Sequence, residues 1–204
     1  MPPTGAGPPQ WPERPGRWWN RPVTPPERLF VAVWPSPSAV TALADEVDRA
    51  RPGLTALDLR WQPPQRWHVT LAFLGPADPD QAARRLARLA LPAPGPVRLA
   101  GSGTFGPVLW VGVDHGPWLS PLARAVQEVL HVEDRRFRAH VTLARGRGRS
   151  AAADARAAVP ALAGHAGPAW VPDQLTLVRS VTGPRPRYDV VGGWSLPAVA
   201  DSGA

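Results

Sequence analysis

Two histidines in this chain carry a hydroxyl two residues later: His68 with Thr70, and His140 with Thr142. Both pairs sit in the same pentapeptide, His-Val-Thr-Leu-Ala, written twice at a separation of 72 positions. On a strand, residues i and i+2 point to one face, so each copy presents one imidazole beside one hydroxyl. Val69, Leu71, Val141 and Leu143 then point the other way, into a core. Brought face to face across a cleft, the copies supply two imidazoles and two hydroxyls. Imidazole has an unperturbed pKa of about 6.5, so one ring can take a proton while the other gives one. Threonine hydroxyls can donate to the non-bridging oxygens of a phosphate. A single H-x-T on a strand is usually an edge or core feature, but two copies on separate strands favour function. The chemistry this set suits is acid–base attack on a phosphodiester. No carboxylate or third histidine lies beside either motif in sequence, so neither a metal nor another cofactor is expected.

Arginines crowd the second copy: Arg135, Arg136, Arg138, Arg145, Arg147 and Arg149 lie within RRFRAHVTLARGRGR. Most belong to a solvated charge run. Arg145 follows the strand directly and can fold back over a bound phosphate. His115, His131 and His165 lack comparable neighbours and read as structural or solvated.

These side chains need strands to hold them, and the chain supplies strands alternating with helices. RLFVAVW (28–34) is a compact apolar strand, after which Ser36 and Pro37 open a helix with Val40, Leu43 and Val47 on one face. ALDLRW (56–61) and WHVTLAFLG (67–75) read as strands, and Asp78-Pro79 starts a helix to about Leu89. Residues 97–106 and 108–114 form two strands, 117–130 a helix with Leu122, Val126 and Val129 on one face, and 137–145 a strand. Residues 151–163 are alanine-rich and helical, and 174–180 and 187–196 close the domain as strands. The expected fold is α+β, with two lobes of related build, one HVTLA strand in each. A doubly wound parallel sheet would want a glycine-rich phosphate turn after the first strand, and WPSPS is not one.

Residues 1–27 hold nine prolines and three glycines and are expected to form a flexible tail, with 28–196 as the folded unit and 197–204 frayed. The tail also carries Trp11, Trp18, Trp19, Arg14, Arg17 and Arg21. All 23 basic residues are arginine, and the net charge is +7. Arginine's planar fork suits phosphate, and the charge balance favours phosphate-bearing partners, although a GC-rich genome would give the same bias. Without cysteine, disulfides, thiolate zinc sites and thiol nucleophiles are excluded. No signal-peptide pattern opens the chain, and no apolar run approaches a membrane span, so a soluble, cytoplasmic monomer is expected.

At these residues the chain resembles the RNA 2′,3′-cyclic phosphodiesterases, or 2′-5′ RNA ligases, of the two-histidine phosphoesterase superfamily. The likeness covers about residues 28–196: RLFVAVWPS, RWQPPQRWHVTLAFLG, RFRAHVTLAR and LVRSVTGPRPRYDVV. It implies two pseudo-symmetric lobes, each a mainly antiparallel sheet with helices outside, and an active cleft between them. It implies His68 as proton donor, His140 as proton acceptor, and Thr70, Thr142 and Arg145 as phosphate contacts. It gives Phe137 a part in placing a base. The implied partners are RNA ends or nucleotides bearing a 2′,3′-cyclic phosphate. Two positions depart from the family habit: Ala139 stands where proline is common, and Ala72 where lysine is common. They change strand entry and local charge but remove no catalytic group. A non-catalytic RNA-end module and reversible 2′-5′ ligation are the competing readings.

Overall fold

The computed structural model describes residues 27–132, 136–182 and 187–198. Residues 1–26 and 199–204, and with them most of the expected tail and frayed end, lie outside the described residues, as does Arg135. The elements run β1 (Glu27–Val33), α1 (Pro37–Ala50), β2 (Leu59–Trp61), β3 (Val69–Ala77), α2 (Pro79–Leu86), β4 (Val97–Phe105) and β5 (Val108–His115). They continue with α3 (Leu119–Leu130), β6 (His140–Gly146), α4 (Ala151–Ala158), β7 (Ala166–Trp170), β8 (Gln174–Val181) and β9 (Arg187–Ser195). Local chemistry accounts for several ends. Ser36 Oγ caps α1 by accepting from the Ala39 amide at 3.2 Å, and Asp78 Oδ1 caps α2 from Gln81 at 3.0 Å. Proline follows each cap, where its missing N–H costs nothing.

Strand order is β7-β4-β5-β6-β3-β1-β8-β9, with β2 added against β6. Every pairing is antiparallel. The order reads as two four-stranded halves, β9-β8-β1-β3 and β6-β5-β4-β7, each with an HVTLA strand on its inner edge. The inner edges meet at one bridged pair, Val69 with Val141. These are the same residue of the two copies, so the bridge lies on a local two-fold axis. The α+β, two-lobed architecture read from the sequence is the one observed, with the two sheets joined at this single point.

A row of valines crosses the join: Val33 pairs Val69, Val69 pairs Val141, and Val141 pairs Val111. All four are at most 1% exposed. Each buried side chain contributes roughly 1.5–3 kcal/mol, and β-branched residues suit a pleated surface. Slipping the register by one would turn this row to solvent.

Each copy also carries a bulge at its leucine. Ala32 pairs Thr70 while Val31 pairs Ala72, which leaves Leu71 extra. Trp110 pairs Thr142 while Leu109 pairs Ala144, which leaves Leu143 extra. The bulge lets Val, Leu and Ala of both copies all be buried, a pattern strict alternation does not allow. It also frees a buried carbonyl in each copy. The Gln127 side-chain amide donates to the Leu71 carbonyl at 2.8 Å, and the Gln62 amide donates to the Leu143 carbonyl at 2.7 Å.

Helices cover the core side. α1 packs on β4 and β7, while α3 packs on β3 and α2, so each lies beneath the half opposite its preceding strand. α4 packs on β5 and β6. Three expectations are adjusted. The second strand begins at Leu59, because residues 55–57 turn instead of extending. The strand expected from Phe137 begins at His140, although the ladder reaches back one residue through the Val113 amide to the Ala139 carbonyl at 3.1 Å. β7 had no sequence signal: its AGPAW run is short and carries a proline, and it pairs only with β4, at the sheet edge.

Gln127 is 7% exposed and its amide satisfies a bulge carbonyl that has no ladder partner. Gln127→Met keeps the volume but leaves that carbonyl unsatisfied. The expected loss is about 1–3 kcal/mol, read from urea unfolding midpoints.

Candidate active site

The Val69–Val141 bridge fixes what surrounds it. In an antiparallel pair centred there, His68 lies opposite Thr142, and Thr70 opposite His140. All four side chains share the face away from the buried valines. The four sequence-predicted partners are therefore brought together, and Arg145 joins them along β6. His68, Thr70, His140, Thr142 and Arg145 line one cavity of about 430 Å³. A second cavity, of about 910 Å³, shares Thr70, Phe73, His140, Thr142 and Arg145 and runs toward Phe105 and Phe137. The site thus has two arms meeting at the histidines. The His68 arm is walled by Arg28, Gln62, Arg66, Ser180, Thr182 and Tyr188.

Both rings are held in the same way. His68 Nδ1 lies 2.6 Å from the Arg66 carbonyl, and His140 Nδ1 lies 2.7 Å from the Arg138 carbonyl. A carbonyl only accepts, so each neutral ring carries its proton on Nδ1 and leaves the Nε2 lone pair free. The repeat therefore extends two residues upstream, as Arg-x-His-Val-Thr-Leu-Ala, in RWHVTLA and RAHVTLA. That longer repeat was legible in the sequence, and it marks Arg66 and Arg138, which reading from the histidines onward passes over. Each arginine also lies over an aromatic ring: Arg66 over Tyr188 at 5.6 Å, and Arg138 over Phe105 at 5.8 Å. Those rings in turn stand edge-on to the histidines, Tyr188 to His68 at 5.3 Å and Phe105 to His140 at 5.0 Å.

The floors differ between the halves. His68 stacks on Phe30 at 4.7 Å and lies 5.4 Å from Trp34, over a small cluster of Phe30, Ala32 and Val178. Trp34 is fixed through its Nε1–H to Thr176 Oγ1 at 2.8 Å, and that hydroxyl donates to the Ala32 carbonyl. On the other side Trp110 replaces this cluster, and its indole lies so close to Gly103 that no Cβ would fit there. Of the remaining histidines, His115 ends β5 and His165 is buried, both away from the two arms, whereas His131, which closes α3 in the left-handed region, lines the larger arm.

The environment of His68 is the drier of the two. Burial among aromatic rings pushes its pKa down to about 4, opposed by the Arg66 carbonyl and assisted by repulsion from His140. His140 is also pushed below its ordinary value, first by burial, against the pull of the Arg138 carbonyl and with repulsion from Arg145. Both shifts favour the neutral form of the rings near neutral pH. Among the described residues no group of three or more histidine, aspartate or glutamate side chains is placed to hold a metal ion. None of their helices is long and apolar enough to cross a membrane.

Residues 38–184 match the family model of the 2′-5′ RNA ligase superfamily. The chain belongs to that superfamily. A relative from Thermus thermophilus, named RNA 2′,3′-cyclic phosphodiesterase, is 34% identical over 193 aligned positions, which span 83% of this chain and 90% of the relative. A relative of the same name from Geobacillus stearothermophilus is 35% identical over 99 positions. That match spans 42% of this chain and 32% of the relative's length. Among solved structures, a protein of Thermus thermophilus superposes with a TM-score of 0.65 at 28% identity, over 84% of this chain and 98% of its own. Apo LigT of Escherichia coli gives 0.68 at 21% identity, over 85% and 99%, a likeness of fold. The superfamily read from the paired motifs is the one whose model residues 38–184 match.

The depressed pKa of His68 makes folding sensitive to acid. Above pH 6.5 the ring is neutral folded and unfolded. As pH falls from 6.5 toward about 4, the unfolded chain binds a proton that the folded ring refuses, so stability is lost across that window. The loss attributable to this ring is about 3 kcal/mol. Urea midpoints measured from pH 7 to pH 4 should fall for the wild type and fall less for His68→Gln. An NMR titration should place both site rings below 6.5, with His68 the lower.

Proposed function

We propose that this protein hydrolyses the 2′,3′-cyclic phosphodiester ends of RNA to 2′-phosphomonoesters, with His68 and His140 as acid and base. The observation that carries this reading is that both rings line one cavity, each with Nδ1 held by a backbone carbonyl and Nε2 left to work. His140 Nε2 takes a proton from water as the water oxygen attacks phosphorus. The bond from phosphorus to the 3′ oxygen breaks on the opposite side, and His68 Nε2 gives that oxygen its proton. Thr70, Thr142 and Arg145 stabilise the charge growing on the non-bridging oxygens. The cycle leaves His140 charged and His68 neutral, and exchange with solvent restores them. The names of the two curated relatives support the substrate class, and the five arginines that line the two arms, where none of the described lining residues is a carboxylate, suit a polyanion.

The preference of both rings for the neutral form fits this scheme through the charge of the substrate. A phosphodiester monoanion beside His68 favours the imidazolium and raises its pKa on binding. A ring reluctant to hold its proton is a strong acid once it has one. Reversible 2′-5′ ligation is the second reading. The 910 Å³ arm lies on the His140 side, from which the nucleophile comes, and has room for a nucleoside whose 5′-hydroxyl replaces water.

With a 2′,3′-cyclic mononucleotide as substrate, His68→Ala and His140→Ala are each expected to lower turnover about 10²–10⁴-fold. Chromatography of the products should show a 2′-phosphate from the wild type. Binding with no new 2′-phosphate would favour a non-catalytic RNA-end module. The profile of kcat/KM against pH reports the free enzyme, so both its limbs should fall on the acid side of 6.5. The kcat profile should lie at higher pH.

A further inference from the structure

The far end of the His68 arm holds polar groups that the scheme above does not use. Arg28 pairs with Ser180 across β1 and β8, and Ser180 pairs with Tyr188 across β8 and β9. Two residues along, the pair Phe30 and Val178 forms part of the floor under His68. Strand alternation therefore sets Arg28 and Ser180 on the cleft face, about 7 Å along from that floor. Thr182 follows Ser180 by two residues, and all three line the arm. Gly75, across the ladder beside them, also lines it, and a Cβ there would meet nothing within 4 Å, so the arm is open at this end. Among the described residues, the Arg28 guanidinium and the Ser180 and Thr182 hydroxyls have no hydrogen-bond or ion-pair partner. One wall of the arm thus carries three donor groups and no acceptor assigned to them.

We propose that Arg28, Ser180 and Thr182 form a second oxyanion subsite, which takes the phosphate on the 5′ oxygen of the nucleotide whose cyclic phosphate is cleaved. The inference rests on the acid and base roles given above. With His68 protonating the departing 3′ oxygen, the ribose that bears the cyclic phosphate lies on the His68 side of phosphorus. Its 5′ carbon leads away from the histidines, along the arm toward Arg28. In an RNA end, the group on that 5′ oxygen is the preceding phosphate. The guanidinium fork matches two phosphate oxygens at once, and the two hydroxyls donate to what remains. None of the described residues lining this arm is a carboxylate that would compete for the arginine. The subsite sets the substrate class: cyclic nucleotides that carry a phosphate on the 5′ oxygen, in preference to those ending there in a hydroxyl.

Three probes test this: a 2′,3′-cyclic mononucleotide with a free 5′-hydroxyl, the same nucleotide with a 5′-phosphate, and a dinucleotide ending in a 2′,3′-cyclic phosphate. Arg28→Gln should lower the kcat/KM of the second and third, relative to the first, about 10-fold, as expected for one charge-assisted contact. Arg28→Lys, which keeps the charge but not the fork, should lower the ratios less. A ratio lowered for the 5′-phosphorylated mononucleotide alone assigns the subsite to a terminal phosphate, and one lowered for both assigns it to a phosphate within an RNA chain; either supports the inference. Equal effects on all three probes, or no effect on any, overturn it; equal effects are what exchanged histidine roles would give. Calorimetry without turnover uses a nucleoside 2′-phosphate and the corresponding 2′,5′-bisphosphate. The wild type should bind the bisphosphate about 10-fold more tightly, and Arg28→Gln should remove most of that difference. Equal binding by the wild type, undetectable binding of the bisphosphate, or a difference that survives Arg28→Gln overturns the inference. Failure of the wild type to cleave any of the cyclic probes, with the binding difference still dependent on Arg28, would sink the hydrolytic reading alone.

Discussion

The site depends on one contact, the bridge between Val69 and Val141. It is a single rung between two half-sheets, yet it sets the positions of the four candidate side chains, because strand geometry dictates what flanks a paired residue. The rung holds because it is the middle of a buried valine row running across four strands. Burial on one face thereby fixes the chemistry on the other. A shift of one residue in either strand would expose the valines and remove the histidines from the cleft together.

Around that axis the two copies repeat a small device. A backbone carbonyl two residues before each histidine fixes the ring's tautomer, and an aromatic ring stands edge-on beside it. The leucine bulge lets the strand bury its valine, leucine and alanine while keeping its threonine on the working face. The device is electrically expensive. Aromatic walls disfavour charge on the rings, and the nearby arginine disfavours it further at His140. The cleft is therefore poised for an anion, whose charge would offset the penalty that burial sets on a protonated ring.

Much of this was legible in the chain. The repeated pentapeptide gave the alternation and the facing pair, since strand periodicity is a local property. Caps at Ser36 and Asp78 were legible for the same reason. Long-range pairing was not. Nothing local says that Val69 would choose Val141, or that α1 would lie under the far half. The bulges were hidden because the Leu-Ala step reads as a simple break in alternation until the partner strand is known. The ionisation of the histidines was hidden too, because Phe30, Trp34 and Tyr188 come from β1, the segment after it and β9, far from His68 in sequence. β7 was missed because an edge strand needs few β-formers when a neighbour supplies its register.

The exchanged helices carry a consequence of their own. With α1 beneath one half and α3 beneath the other, the arrangement is that of two swapped subunits. In a dimer of identical half-chains, every side chain would occur twice about the axis, so the two histidines would stay chemically indistinguishable. Joining the halves in one covalent chain lifts that constraint. Position 73 can then differ from 145, and the floor under one imidazole from the floor under the other. Division of labour between two like groups is available here because a single gene writes them separately.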